Sequence, residues 1–121
     1  MGSRSLVVKV TAGKDDPERC NQALTVAAAA AASGVPVSLW LTGEATWFAV
    51  RGRGSDLRLP HAVPMADLLT TVLSAGSVTV CTQCAARRAI NESDLMGGVR
   101  IAGATTFLTE ILAEGAQALV Y

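Results

Sequence analysis

Aromatic side chains are scarce in this chain: two tryptophans, one tyrosine and two phenylalanines among 121 residues. That excludes a base-stacking platform for single-stranded nucleic acid, which needs repeated aromatic faces. A basic excess is missing too. Ten lysines and arginines balance ten aspartates and glutamates, so the electrostatic footprint of a phosphate-backbone binder is absent and no nucleic-acid partner is expected. No apolar run approaches the roughly 18 residues of a membrane span. The longest, Val26 to Ala32, is mostly alanine, and no membrane partner is expected. Met1 to Ser5 pass straight into an apolar strand, without the apolar stretch and small-residue cleavage site of a secretory leader. A cytoplasmic location is the expectation. Cysteine is limited to three residues, which argues against a disulfide framework. In the cytosol a close cysteine pair is more often catalytic, redox-active or metal-binding.

Half of the residues are apolar and only 17% are charged, a balance that favours a packed core over disorder. The length suits one domain, residues 1–121. Strands are expected at residues 6–10, 35–41, 77–80, 99–101 and 116–120. Helices are expected at 17–32, 44–50, 65–75, 85–90 and 105–113. Asp16 as N-cap and Pro17 at the first helical position mark the start of the first long helix, and Asn91 to Asp94 can cap a further turn. Strands that alternate with helices and are apolar on both faces predict a five-stranded, mostly parallel sheet in a three-layer α/β/α sandwich. Ligands of such sheets bind beyond the carboxyl ends of the strands, where the loops 11–16, 41–44, 81–84 and 102–105 gather. The alanine-rich helix, apolar on nearly all sides, reads as a subunit contact, because small side chains permit close approach.

Cys81-Thr82-Gln83-Cys84 lies in one of those loops, between the third strand and a helix. A helix start offers unpaired N–H groups and partial positive charge, and both these and nearby cations lower a thiol pKa. Arg87 and Arg88 follow Cys84 by three and four residues, which places them on its helical face. Cys81, nearer the free N–H groups, is the expected reactive sulfur, and Cys84 a modulating or resolving thiol. The competing reading is two buried small hydrophobes. A zinc site asks for four ligands. Only Cys20 and His61 remain to complete one, both distant in sequence, and no metal or other cofactor is expected. Cys20 and Gly103 are expected at the same sheet edge, with Gly103 allowing close backbone approach. A thioredoxin-type site fits poorly, because the pair follows the third strand rather than an early one. Gly13-Lys14 lacks the rest of a phosphate loop. His61 and the basic loop Arg51, Arg53 and Arg58 read as solvated surface, and Trp47 and Phe48 as packing residues.

The run from Val78 to Ile90, with Asp94-Leu95, Gly98-Val99 and Ile101 to Ala104 after it, resembles the DsrE/DsrF-like family, which includes TusD-type sulfur-relay subunits. The likeness extends to Val7–Thr11 and Ala118–Val120. It implies a flavodoxin-like, DsrE-like fold, assembly as a homotrimer or homohexamer, and an intracellular sulfur carrier rather than a metabolic enzyme. Such a sulfurtransferase-like protein would accept sulfur as a persulfide at the position of Cys81, with Arg87 or Arg88 stabilising the anion. Sulfur donor and acceptor proteins or small thiols would be its partners. Cys84 adds a Cys-x-x-Cys that relay subunits lack, and Ala89 stands where glycine is frequent. The alternatives are a thiol–disulfide redox protein or sensor using Cys81 and Cys84, and a non-catalytic oligomeric module.

Overall fold

The computed structural model describes residues 4–121. Met1, Gly2 and Ser3, on which the expectation of no leader partly rests, lie outside the described residues. Five strands, β1 (Ser5–Val10), β2 (Val37–Leu41), β3 (Ser77–Cys81), β4 (Arg100–Ala102) and β5 (Ala116–Val120), form one sheet. All pairs are parallel and the order is β4-β3-β2-β1-β5. Helices α1 (Pro17–Ala32), α2 (Met65–Ala75), α3 (Thr82–Arg87) and α4 (Ala104–Ile111) connect them, with 3₁₀ turns at Gly43–Ala49, Arg53–Asp56 and Glu92–Asp94. The 3₁₀ turn at Gly43–Ala49 takes the place of the expected helix at 44–50.

Side chains alternate across a strand, so each face of the sheet has its own inventory. Val8, Val10, Leu39, Leu41, Val78 and Val80 point toward α1 and α2 and form the core with Leu24, Leu69 and Val72. The other face carries Lys9, Trp40, Thr79 and Arg100 in one register row, with Ser38 beside it. It is therefore not apolar, contrary to the expectation. Helix α4 covers it and supplies the polar partners. Glu110 Oε1 accepts from Ser38 Oγ (2.5 Å) and Trp40 Nε1 (3.0 Å), Arg100 pairs with Glu110, and the Phe107 ring meets Trp40 edge-on at 5.3 Å. Partial burial works to raise the Glu110 pKa, but these hydrogen bonds and the Arg100 charge outweigh it and hold the carboxyl below the usual range.

The alanine run is used inside the chain. Ala23, Ala27, Ala28 and Ala31 are buried, and α1 packs along α2 as well as on β1. Part of the surface expected to meet another subunit is thus met within the chain by α2, the small side chains letting the two helices approach, while Ala29 and Ala32 are exposed. Exposed large apolar side chains gather elsewhere, with Leu108 51% and Leu112 73% accessible at α4 and Val120 63% accessible on β5.

Helix α3 starts three residues earlier than expected and ends in a Schellman turn. Ile90 N–H donates to Ala85 O (3.0 Å), Ala89 N–H donates to Ala86 O (3.2 Å), and buried Ile90 packs the turn down. Ala89 takes the left-handed position of this motif, at φ 54°. An L-residue there costs about 1 kcal/mol relative to glycine. Ala89→Gly is therefore expected to stabilise the fold by about 1 kcal/mol, raising Tm by roughly 3–6 °C in calorimetry. Asp94 Oδ2 accepts from Asn91 N–H at 2.8 Å and caps the next turn.

Candidate functional site

Cys81 is the last residue of β3 and the N-cap of α3, and it is partly exposed. An N-cap side chain faces the N–H groups of the second and third helical residues, here Gln83 and Cys84. No cap hydrogen bond of regular geometry closes onto the neutral thiol. The sulfur anion is nonetheless favoured there. Partial burial pushes the Cys81 pKa up, but the Cys84 N–H, the Cys84 thiol, the Gln83 N–H and the Lys9 charge together outweigh it, and the net direction is down. The thiolate fraction at neutral pH, and with it nucleophilicity toward an accessible sulfur electrophile, rises accordingly.

Cys84 is the third residue of α3 and is buried. Its Sγ accepts from the Gly43 N–H at 3.2 Å. Gly43 is fixed in place by close backbone packing. It sits at φ +54°, and a Cβ there would come within 2.3 Å of Thr11 O. Gly13, in the same Thr11 loop, is packed equally hard: a Cβ would meet Glu44 O at 2.5 Å. The two glycines press the loops after β1 and β2 together and so present the Gly43 N–H to the sulfur.

The cations are distributed differently from the sequence-based expectation. The Arg88 guanidinium donates to Glu44 Oε2 (2.8 and 2.9 Å) and to Cys84 O (3.1 Å), so its charge is neutralised by Glu44 and it ties α3 to the loop after β2. Arg87 is exposed, 3.5 Å from Gln83 Oε1. Lys9, which sequence reasoning passed over, is the cation that adds, after the Cys84 and Gln83 hydrogen bonds, to the lowering of the Cys81 pKa. It lies on the α4 side of central strand β1, with its ammonium 5.1 Å from the Phe107 ring centroid. The available signal was a lysine inside the apolar run Leu6 to Val10, where a charge needs a partner. Lys9→Gln removes a cation that lowers the Cys81 pKa. The pH at which Cys81 becomes half-alkylated by iodoacetamide is expected to move upward, and an unmoved midpoint would remove Lys9 from the site.

Cys20 is fully buried. Burial first, then the Asp15 charge, pushes its thiol up to about 12, so at its place in the first turn of α1 it is enclosed by the core rather than open to a ligand. Gly103 does stand beside the cysteine edge, since Ala102 pairs with Cys81. Its φ of −105° is ordinary, and a Cβ would find only Thr82 Oγ1 at 3.8 Å. The close approach expected at Gly103 is made instead by Gly43 and Gly13. His61 is exposed at φ 62°. Arg53 pairs with Asp56 and lies 4.9 Å over the Trp47 ring, and Phe48 is in the core. Among the described residues, no group of three or more His, Cys, Asp or Glu side chains is placed to hold a metal ion, and no helix is long and apolar enough to cross a membrane. A cavity of about 460 Å³ lined by Ser38, Ser77, Arg100 and Glu110 opens toward the amino ends of the strands, away from the cysteines.

Comparison with known proteins agrees with this architecture. The model of the DsrE/DsrF-like family matches residues 4–121. The protein MJ0760 of Methanocaldococcus jannaschii is 30% identical over 99 residues, which are 81% of this chain and 36% of that protein. The chain thus spans about a third of the length of this curated relative. Among solved structures, the ychN protein of E. coli superposes with a TM-score of 0.79 at 19% identity, covering 99% of this chain and 100% of that one. MTH1491 of Methanobacterium thermoautotrophicum gives 0.71 at 11% identity, with 99% and 100% coverage. These likenesses establish the fold.

Proposed function

From the premise that the chain belongs to the DsrE/DsrF-like family, we propose that it is a sulfur carrier whose Cys81 accepts sulfur as a persulfide. The supporting observation is the condition of Cys81: a partly exposed thiol at the carboxyl edge of a parallel sheet, with its pKa lowered by surrounding N–H groups and Lys9. The Cys81 thiolate attacks the outer sulfur of a donor persulfide. The donor S–S bond breaks, the donor leaves as a thiolate, and Cys81 carries the extra sulfur as a terminal persulfide anion. The reverse step passes that sulfur to an acceptor thiol by the same exchange. The Gln83 and Cys84 N–H groups and Lys9 would hold the persulfide anion as they hold the thiolate, and exposed Arg87 would add to the positive field met by an incoming donor. Partners are donor and acceptor proteins or small thiols.

Incubation with a low-molecular-weight persulfide, followed by site-resolved mass spectrometry, tests the reading. An adduct of about 32 Da should appear on Cys81 and on neither other cysteine; a chain that takes up no sulfur under these conditions would refute it.

The proposal includes self-association into a trimer or hexamer. The exposed apolar side chains Leu108, Leu112 and Val120 favour α4 and β5 as the contact. Light scattering at micromolar concentration should give a mass three or six times that of the chain, and Leu112→Asp should lower it to that of a monomer. A monomeric wild-type chain would remove this part of the proposal.

A further inference from the structure

Simple sulfur carriage needs no second thiol to react, yet the Cys84 sulfur is built into the site. It sits at the third position of α3, three residues after the N-cap cysteine, and residues so spaced are neighbours on a helix. Helix geometry puts their Cα atoms about 5 Å apart, inside the roughly 4.4–6.8 Å that a disulfide spans. Both cysteines are free thiols. Cys84 is buried while Cys81 is partly exposed, so a thiol arriving from solvent meets Cys81 first. The Gly43 N–H donates to the Cys84 sulfur at 3.2 Å and holds it in place, and Arg88 fixes the same turn by binding Cys84 O and Glu44.

We infer that Cys84 discharges a persulfide on Cys81, releasing sulfide and closing a Cys81–Cys84 disulfide. The inference rests on the Cys81 reading above and adds a fate for the carried sulfur. The two ends of a persulfide are met from different sides. An acceptor from solvent reaches the outer sulfur and takes it as a persulfide. Cys84, beneath the surface, reaches the inner one. Its thiolate attacks Cys81 Sγ, a new Sγ–Sγ bond forms, and the bond from Cys81 Sγ to the outer sulfur breaks. The outer sulfur leaves with the bonding pair and takes up the proton that Cys84 gives up, so that it departs as hydrosulfide. The outer sulfur gains two electrons, which the two cysteine sulfurs supply on becoming a disulfide. A dithiol reductant, small-molecule or protein, then returns both to thiols with two electrons and two protons. Without an acceptor the chain releases its sulfur as sulfide; with an acceptor at hand it transfers it.

The test loads the full chain anaerobically with a stoichiometric amount of glutathione persulfide and removes excess reagent. Free sulfide and the intact mass are then followed in the wild type, Cys84→Ser and Cys84→Ala. In the wild type, the adduct of about 32 Da should give way to a species about 2 Da lighter than the reduced chain, with one sulfide per disulfide. Both variants should retain the adduct at least about tenfold longer. The wild-type disulfide mass needs no variant to fold. If Cys81 loads and the wild type keeps its adduct as long as the variants do, the discharge step is overturned and the carrier reading stands. If no protein acquires the adduct and no sulfide appears, both are overturned.

Discussion

Cys81→Ser is expected to take up no sulfur, at a rate below about a thousandth of wild type, because a serine hydroxyl stays protonated at neutral pH and has no base beside it to activate it. The substitution changes one atom of a partly exposed N-cap, and serine is itself a favoured cap. Thermal stability should therefore stay equal or rise slightly while loading vanishes, which separates loss of chemistry from loss of fold. Cys20→Ala supplies the contrast. That thiol is enclosed by the core and pushed up to about 12, so it is a neutral, inaccessible sulfur, and its removal should leave loading at Cys81 as it was. Loading rates by mass spectrometry, with melting curves on the same samples, check both. Persistent loading of the serine variant, or sulfur found on Cys20, would place the acceptor elsewhere.

Gly43→Ala is expected to be among the most damaging single-methyl additions in the chain. The added carbon would lie 2.3 Å from Thr11 O, and the backbone would be held at φ +54°. The left-handed conformation alone costs about 1 kcal/mol for a residue with a Cβ, and relieving contact with a backbone carbonyl means moving the Thr11 loop or the turn after β2. The total is expected at about 2–4 kcal/mol, a fall in Tm of roughly 6–20 °C. The functional consequence is separate. Movement of Gly43 withdraws the N–H from Cys84 Sγ, so sulfide release from a loaded Cys81 should slow. Urea denaturation and the sulfide time course measure the two effects. An unchanged midpoint would mean that the two loops do not pack as described.

The strands and long helices were legible because their signals are local. Asp16 and Pro17 announce α1, whose bounds agree with those expected, and the apolar run Ser77 to Val80 fixes β3. Helix α3 was misplaced at its start because Cys81 is an uncommon N-cap and Thr82-Gln83 carry no strong helical signature. The position of Cys81 at the sheet's carboxyl edge was readable from the strand-to-helix switch. Its electrostatic partner was not. Lys9 lies two strands away, and only the order β3-β2-β1 brings it onto the same side of the sheet. Arg88 was adjacent in sequence and carried the right charge, yet Glu44, which no local pattern links to it, holds its guanidinium. The packing of α2 along the alanine run was hidden for the same reason: nothing local in α1 says that α2 will lie along it.

The strand order also bears on how the chain acquires its structure. β1, the first strand made, is flanked by β2 on one side and by β5, the last, on the other. Without residues 116–120 in place, β1 would present a row of unpaired N–H and C=O groups along one side. Such an open edge is a template for another extended segment. Closing it joins residues at opposite ends of the chain, through pairs such as Ser5 with Ala116 and Lys9 with Val120, and contacts that distant in sequence form late. The pairing of β1 with β5 is therefore expected to be the last of the sheet to close, and a chain lacking residues 116–120 should expose the β1 edge.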